Sequence, residues 1–224
     1  LRKIMKEKVL ATSEKKTLKI INLDKKEKKV NAGLPTQIDI LPDGDLAIGS
    51  TYSNGMFFYK KNGSLVFFES SFPVVTCFKL DNDCFSLRRN GELFRNETLF
   101  FNFSQFTNSI WKARFIWPFL MIIDWSFPEG LFRFNIENFK IDIIKIPKIL
   151  IVNDICKFNK TYYIIDKMQG SVFSFDESFK FLKRKLNFGK EPERLYDPIS
   201  IFIENEELCI ISWLNKYMNK ILPF

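Results

Sequence analysis

Short apolar runs that end at a polar turn recur six times along the chain. They are Val9-Leu-Ala-Thr, Leu46-Ala-Ile-Gly, Cys84-Phe-Ser-Leu, Leu120-Met-Ile-Ile, Tyr162-Tyr-Ile-Ile and Leu208-Cys-Ile-Ile. Counted from Leu10, their starts fall 36, 38, 36, 42 and 46 residues apart. A second run follows each turn and opens on Gly in four of the six cases, at Gly55, Gly91, Gly130 and Gly170. Glycine is expected there to supply the positive φ that hairpin turns require.

Two further strand-like runs complete each unit. One precedes the first run, as in Gln37-Ile-Asp-Ile-Leu, Lys112-Ala-Arg-Phe-Ile and Val152-Asn-Asp-Ile-Cys; the other follows the second, as in Lys140 to Ile146 and Phe179 to Leu186. Pro35, Pro73, Pro147 and Pro198 fall between units, where no ladder hydrogen bond is lost. Leu120–Ile123 and Tyr162–Ile165 are continuously apolar rather than alternating, which predicts strands buried on both faces. No segment of twelve or more residues carries a 3.6-residue period. One short helix is expected near Pro192–Leu195, in the longest loop between units, Asn187 to Pro198.

Four-stranded units repeating at this interval match the radial arrangement of a β-propeller. The pattern resembles the WD40-like and quinoprotein-like propeller superfamilies in architecture and repeat length, over almost the whole chain. It has no Gly-His or Trp-Asp signature, and Asp124-Trp125 carries the reversed order. The resemblance implies an all-β fold, a propeller of six blades, mostly of four antiparallel strands; five blades or a β-sandwich are the alternatives. One domain over 1–224 is expected, with repeats near 1–33, 34–71, 72–107, 108–147, 148–190 and 191–224. The last unit lacks an outer strand, and Leu1–Lys6 is expected to supply it, because an unpaired edge leaves apolar surface exposed.

Composition adds strand bias and a charge. Phe accounts for 26 of the 224 residues, and aromatic residues favour pleated surfaces. The formal net charge of +8 suits anionic partners: nucleic acid, acidic protein faces or a membrane surface. The densest basic run, Lys25-Lys26-Glu27-Lys28-Lys29, is broken by Glu and reads as a solvated turn. Cys77, Cys84, Cys156 and Cys209 form no CxxC pair and are expected to be buried free thiols. Sequons at Asn62, Asn96, Asn102 and Asn159 read as ordinary turn residues. The longest membrane-like run, Phe115–Ile123, is nine residues and contains Pro118, far short of the about 20 a spanning helix needs. No signal-peptide pattern opens the sequence, so a cytoplasmic location is the expectation.

With no histidine, the chain has no Ser-His or Cys-His nucleophile pair and no imidazole metal ligand. Nor does it carry a phosphate-binding glycine motif or an Asp-rich calcium loop, so no cofactor is expected. Asp39 and Asp154, with Asn153 beside the latter, lie on innermost strands and could hold calcium or magnesium in a hydrolase or lactonase-like site. The plainer reading is that each bonds a backbone group at a strand end. Asp124 and Asp166 recur just after Ile-Ile, which suits side chains capping hairpin turns.

If strands alternate up and down, the turn after each first run and the connection between units emerge on one face. That face would gather Tyr52, Arg88, Arg89, Trp125, Lys167, Arg194, Tyr196 and Trp213, with Lys15, Lys16, Lys190 and Tyr217. Arg, Trp and Tyr are the residues enriched at interface hot spots. The expectation is a non-enzymatic scaffold binding a macromolecular partner, a protein first, through this basic and aromatic face. Single-stranded nucleic acid, stacked on the rings, is the alternative.

Overall fold

A computed structural model describes residues 7–11, 18–22, 27–30, 35–40, 45–50, 55–60, 65–69, 73–81, 83–107, 109–189, 194–212 and 219–224. The chain divides into two compact units, Leu1–Ile110 and Trp111–Phe224. Among the described residues every regular element is a strand.

In the first unit, β1 (Glu7–Ala11), β2 (Leu18–Asn22) and β3 (Glu27–Val30) form an antiparallel meander. A second meander follows through β4 (Pro35–Ile40), β5 (Leu46–Ser50), β6 (Gly55–Tyr59) and β7 (Leu65–Glu69). The third comprises β8 (Val74–Leu80), β9 (Asp83–Arg88), β10 (Glu92–Arg95) and β11 (Thr98–Asn102). A single pairing of Ser50 with Val74 links the second meander to the third.

The next meander runs through β12 (Ile110–Ile116), β13 (Phe119–Asp124), β14 (Gly130–Asn135) and β15 (Ile141–Lys145). It is followed by β16 (Val152–Phe158), β17 (Thr161–Asp166), β18 (Ser171–Phe175) and β19 (Phe181–Lys185). A two-residue parallel pair, β20 (Asn187–Phe188) with β21 (Arg194–Leu195), leads into β22 (Pro198–Glu204), β23 (Glu207–Ser212) and β24 (Asn219–Ile221). The segment Leu1–Lys6, expected to complete this last sheet, lies outside the described residues.

The second unit shows why its inner strands lack alternation. Side chains alternate across a strand, and on β17 Tyr162 and Ile164 enter one core cluster with Met121, Ile123, Leu131, Ile155 and Phe173. Tyr163 and Ile165 enter another with Val172, Leu195, Ile201, Leu208 and Ile210. The sheet is therefore packed on both faces, and each such side chain contributes about 1.5–3 kcal/mol of burial. Rings add directed contacts. Tyr162 stacks on Phe179 with centroids 4.7 Å apart, and the Tyr163 hydroxyl accepts the Phe224 backbone N–H at 3.1 Å.

The short helix expected near Pro192–Leu195 is replaced, in the part that is described, by extended chain. Leu195 is fully buried in the second cluster, and its carbonyl accepts the Gly189 N–H at 3.2 Å. Burying that one side chain beside a parallel partner outweighs a turn of helix with no apolar face of its own.

The glycines serve two purposes. Gly91 and Gly170 adopt φ of 92° and 54°, as the hairpin turns require. Gly130 does not have a positive φ; a Cβ there would fall 2.1 Å from the Phe127 ring and 2.4 Å from the Ile144 carbonyl oxygen, so its role is close approach. Elsewhere Asn96-Glu97 and Asn205-Glu206 supply paired positive φ without glycine. At Gly170 both demands coincide, since a Cβ would also lie 2.5 Å from the Leu195 carbonyl oxygen and 2.7 Å from Phe188 Cα. Gly170→Ala should therefore destabilise the protein by at least about 2 kcal/mol, read as a lower urea midpoint at unchanged slope.

Candidate functional site

The first strand of a meander repeatedly carries a β-bulge one residue from its start. The register shifts between Pro35 and Gln37, Val74 and Thr76, Val152 and Asp154, and Pro198 and Ser200. A bulge leaves one residue outside the ladder and re-aims its groups. In the second unit the two extra residues are Asn153 and Ile199, and both are used. Asn153 Nδ2 donates to the Pro198 carbonyl at 2.5 Å, and the Ile199 carbonyl accepts Lys112 Nζ at 2.5 Å.

Lys112 and Arg114 sit two residues apart on β12 and so share a face. Both reach Asp154 on β16, whose side chain has no exposure to solvent. Arg114 grips the carboxylate with two bonds, Nε to Oδ1 at 2.8 Å and Nη2 to Oδ2 at 2.7 Å. Ser200 Oγ donates to Oδ2 at 3.0 Å and accepts from Arg114 Nη2 at 2.9 Å; the Ile201 N–H donates to Oδ2 at 3.0 Å and the Ile155 N–H to Oδ1 at 2.9 Å. Lys112 Nζ stands 3.5 Å from Oδ2. Burial alone would raise the Asp154 pKa, but the charges of Arg114 and Lys112 and the donated hydrogen bonds outweigh it and hold the group well below the usual carboxylate range. Three inner strands, β12, β16 and β22, are thus tied through one carboxylate. Its oxygens are engaged by cations and donors, so it acts here as a structural anion; the side chain of Asp39 lies outside the described ones.

Asp124 and Asp166 cap turns as their position suggests. Asp124 Oδ1 accepts the Ser126 N–H at 2.7 Å and the Ser126 hydroxyl. Asp166 accepts the Gln169 N–H at 2.8 Å and the Leu150 N–H at 2.6 Å. These caps fix the turns that present Trp125 and Lys167.

Trp125 is 41% exposed and its ring centroid lies 5.1 Å from that of Trp111. Lys167 Nζ stands 5.8 Å from the Trp125 ring and 3.3 Å from Asp197 Oδ1, while the adjacent Tyr196 ring lies 5.0 Å from the half-exposed Phe188. The structure therefore brings together Trp125, Lys167 and Tyr196 of the expected face, with Arg194 exposed on β21. Arg88 and Arg89 belong to the first unit. Arg88 lies 3.7 Å over the Phe94 ring and pairs with Glu92 at 3.3 Å, whereas Arg89 is exposed. Tyr52, Trp213, Lys15, Lys16, Lys190 and Tyr217 lie outside the described residues.

Sequence reasoning missed Lys112, Arg114 and Trp111. The available signal was two cations alternating within an otherwise apolar inner strand. The four cysteines are free thiols. Burial pushes Cys209 up to about 11 and raises Cys84 and Cys156 as well, so these three stay protonated at neutral pH and are not nucleophiles. Asn96 and Asn102, two of the sequon asparagines, serve turns: Asn96 Oδ1 accepts the Cys84 N–H and Asn102 Oδ1 the Ser104 N–H, each at 2.8 Å. No helix among the described residues is long and apolar enough to cross a membrane.

No protein-family model matches the chain, and no curated protein sequence matches it significantly. Solved structures do. A streptogramin B lyase superposes with a TM-score of 0.68 at 10% identity, covering 97% of this chain and 80% of the lyase. The WD40 β-propeller domain of Doa1 gives 0.69 at 12% identity, covering 94% of this chain and 73% of that one. A chain of the nidogen/laminin complex gives 0.66 at 10% identity, covering 92% and 85%. The fold is a β-propeller.

Removing one partner of a buried ion cluster leaves uncompensated charge, so Asp154→Asn should cost about 3–5 kcal/mol at neutral pH. The folded Asp154 pKa is depressed. The stability it contributes is therefore fully present above about pH 4, the ordinary Asp value, and is lost as pH falls from there through the folded value. Urea titrations of both proteins should show the gap between wild type and Asp154→Asn narrowing below about pH 4.

Proposed function

We propose that residues 1–224 work as one β-propeller domain and a non-enzymatic scaffold, engaging a protein partner through the face that carries Trp125, Lys167 and Tyr196. The observation that carries this reading is Trp125: an indole 41% exposed, backed by Trp111 at 5.1 Å and flanked by a lysine 5.8 Å from its ring. An aromatic ring held rigid by its neighbours offers contact area at little entropic cost, the property of interface hot spots. The aspartate-capped turns beneath it support the same reading, because they pre-organise the two side chains that would meet a partner. Asp154, committed to Arg114, favours a structural role over a metal-hydrolase role. We propose a cytoplasmic location, a reading that the four free thiols support.

Affinity capture with the wild type, with Trp125→Ala and with Lys167→Glu tests the face. A partner retained by the wild type should be lost about thirtyfold or more in Trp125→Ala, the level of a hot spot, with thermal midpoints unchanged. Equal recovery by all three proteins would remove this face from consideration. Nucleic acid is distinguished by titrating oligonucleotides, whose affinity must fall linearly with the logarithm of salt concentration.

A further inference from the structure

The last strands of the second unit's meanders treat their cations differently. Around β15, Lys140 pairs with Asp142 at 3.1 Å and Lys145 with Glu129 at 3.6 Å. On β24, Lys220 pairs with Glu204 at 2.7 Å and with Glu207 at 3.7 Å. Between them in the chain, β19 carries Lys183, Arg184 and Lys185; Lys180 precedes it, and Lys148 Nζ lies 3.7 Å over its Phe181 ring. Among the described residues none of these cations has a carboxylate partner. The charged ends of Arg184 and Lys185 touch neutral groups, the Ser171 hydroxyl at 3.1 Å and the Leu222 carbonyl at 3.5 Å. The carboxylates nearest in sequence are committed elsewhere. Asp176 Oδ1 accepts the Ser178 and Lys180 backbone N–H groups, both at 2.9 Å, and Glu177 pairs with Lys157 at 2.8 Å.

Position makes this charge accessible. β19 pairs with β18 and ends its sheet, so one edge of its backbone faces away from the ladder. Lys148, Lys180, Lys183 and Arg184 are exposed. Lysine on an edge strand guards against stray pairing, but the neighbouring sheets end on strands whose lysines are neutralised, so guarding does not by itself account for β19. Like charges crowded on one strand repel, and a partner of opposite sign removes that cost. The strand also selects among anionic partners. A second copy of β19 would set cation against cation. Bases need exposed rings to stack on, and the one ring of the strand, Phe181, is covered by Lys148 and packs against Phe173 and Phe175. A bilayer needs an apolar face to insert, and β19 exposes a single apolar side chain, Leu182. Another polypeptide meets both features, because its backbone completes the free edge while its carboxylates meet the cations. In an extended chain alternate side chains share a side and stand about 7 Å apart, the spacing of Lys183 and Lys185.

We propose that β19 is a docking edge for an extended acidic segment of a partner protein, which joins the sheet as a further strand with alternate Asp or Glu side chains against Lys183 and Lys185. Arg184, on the other side of the strand, and Lys148 and Lys180, near its start, extend the positive field. This surface is separate from the face that carries Trp125, which sits on a turn between inner strands, and does not depend on it.

Fluorescence anisotropy on the full chain tests the edge, with a labelled peptide of about ten residues alternating Glu and Val as the probe. At about 50 mM salt it should bind with a Kd of about 100 μM or below, and more weakly as salt rises. Lys183→Glu should raise that Kd about fivefold or more with the thermal midpoint unchanged, because the side chain it replaces is exposed. Lys145→Glu, the same change of charge on the neighbouring sheet, and Trp125→Ala should each leave it within about twofold. A peptide of equal charge with proline in place of valine cannot join a ladder and should bind at least about fivefold more weakly. No saturable signal up to about 1 mM, equal effects of Lys183→Glu and Lys145→Glu, or equal binding of the proline peptide would each overturn the proposal. So would tighter binding to a single-stranded oligonucleotide of the same charge, or to phosphatidylserine vesicles, than to the alternating peptide.

Discussion

One buried carboxylate organises the second unit. Asp154 lies where three inner strands converge and has no solvent to share its charge. It persists as an anion because Arg114 supplies two aligned donors and Lys112 a further positive charge. Bonds from Ser200 and the Ile201 N–H then extend the grip to β22. Apolar packing between sheets is strong but tolerates sliding. A bidentate guanidinium with a fixed fork does not, so the cluster sets the register of one sheet against the next.

That fixed register is what allows the ends of the strands to hold a defined surface. The bulges at Asn153 and Ile199 send a side-chain amide and a carbonyl sideways to the neighbouring strand. The turn aspartates 124 and 166 then hold the loops one layer further out. Charge, bulge, cap and exposed ring form successive layers, each positioned by the one beneath it. A change at Arg114 would therefore be felt at Trp125 without touching it.

The fold was legible because the repeat is written in hydrophobicity. Tyr162 to Ile165 had to be buried on both faces, and the two core clusters divide those residues alternately, as a doubly covered strand demands. Asp124 and Asp166 were legible as caps because Asx chemistry is local to the turn. The ion cluster was not. Arg114 and Asp154 are 40 residues apart, and nothing in a linear chain says that adjacent inner strands will face each other there. Arg88 shows the same limit: its place at a turn was legible, but its contacts with the Phe94 ring and Glu92 were not. The segment before Pro198 misled in another way, since its local composition permitted a helix while the burial of Leu195 required extended chain.

The repeated bulge also bears on how such a chain can change over time. The extra residue at 36, 75, 153 and 199 stands outside the ladder in each of four meanders. Its identity is Thr, Val, Asn or Ile, with no common size or polarity. A position with so little duty in the pairing of its own sheet is free to vary while the sheet persists. Each of these four meanders thus offers a variable socket one residue into its first strand, where a substitution changes what the sheet contacts before it disturbs the ladder.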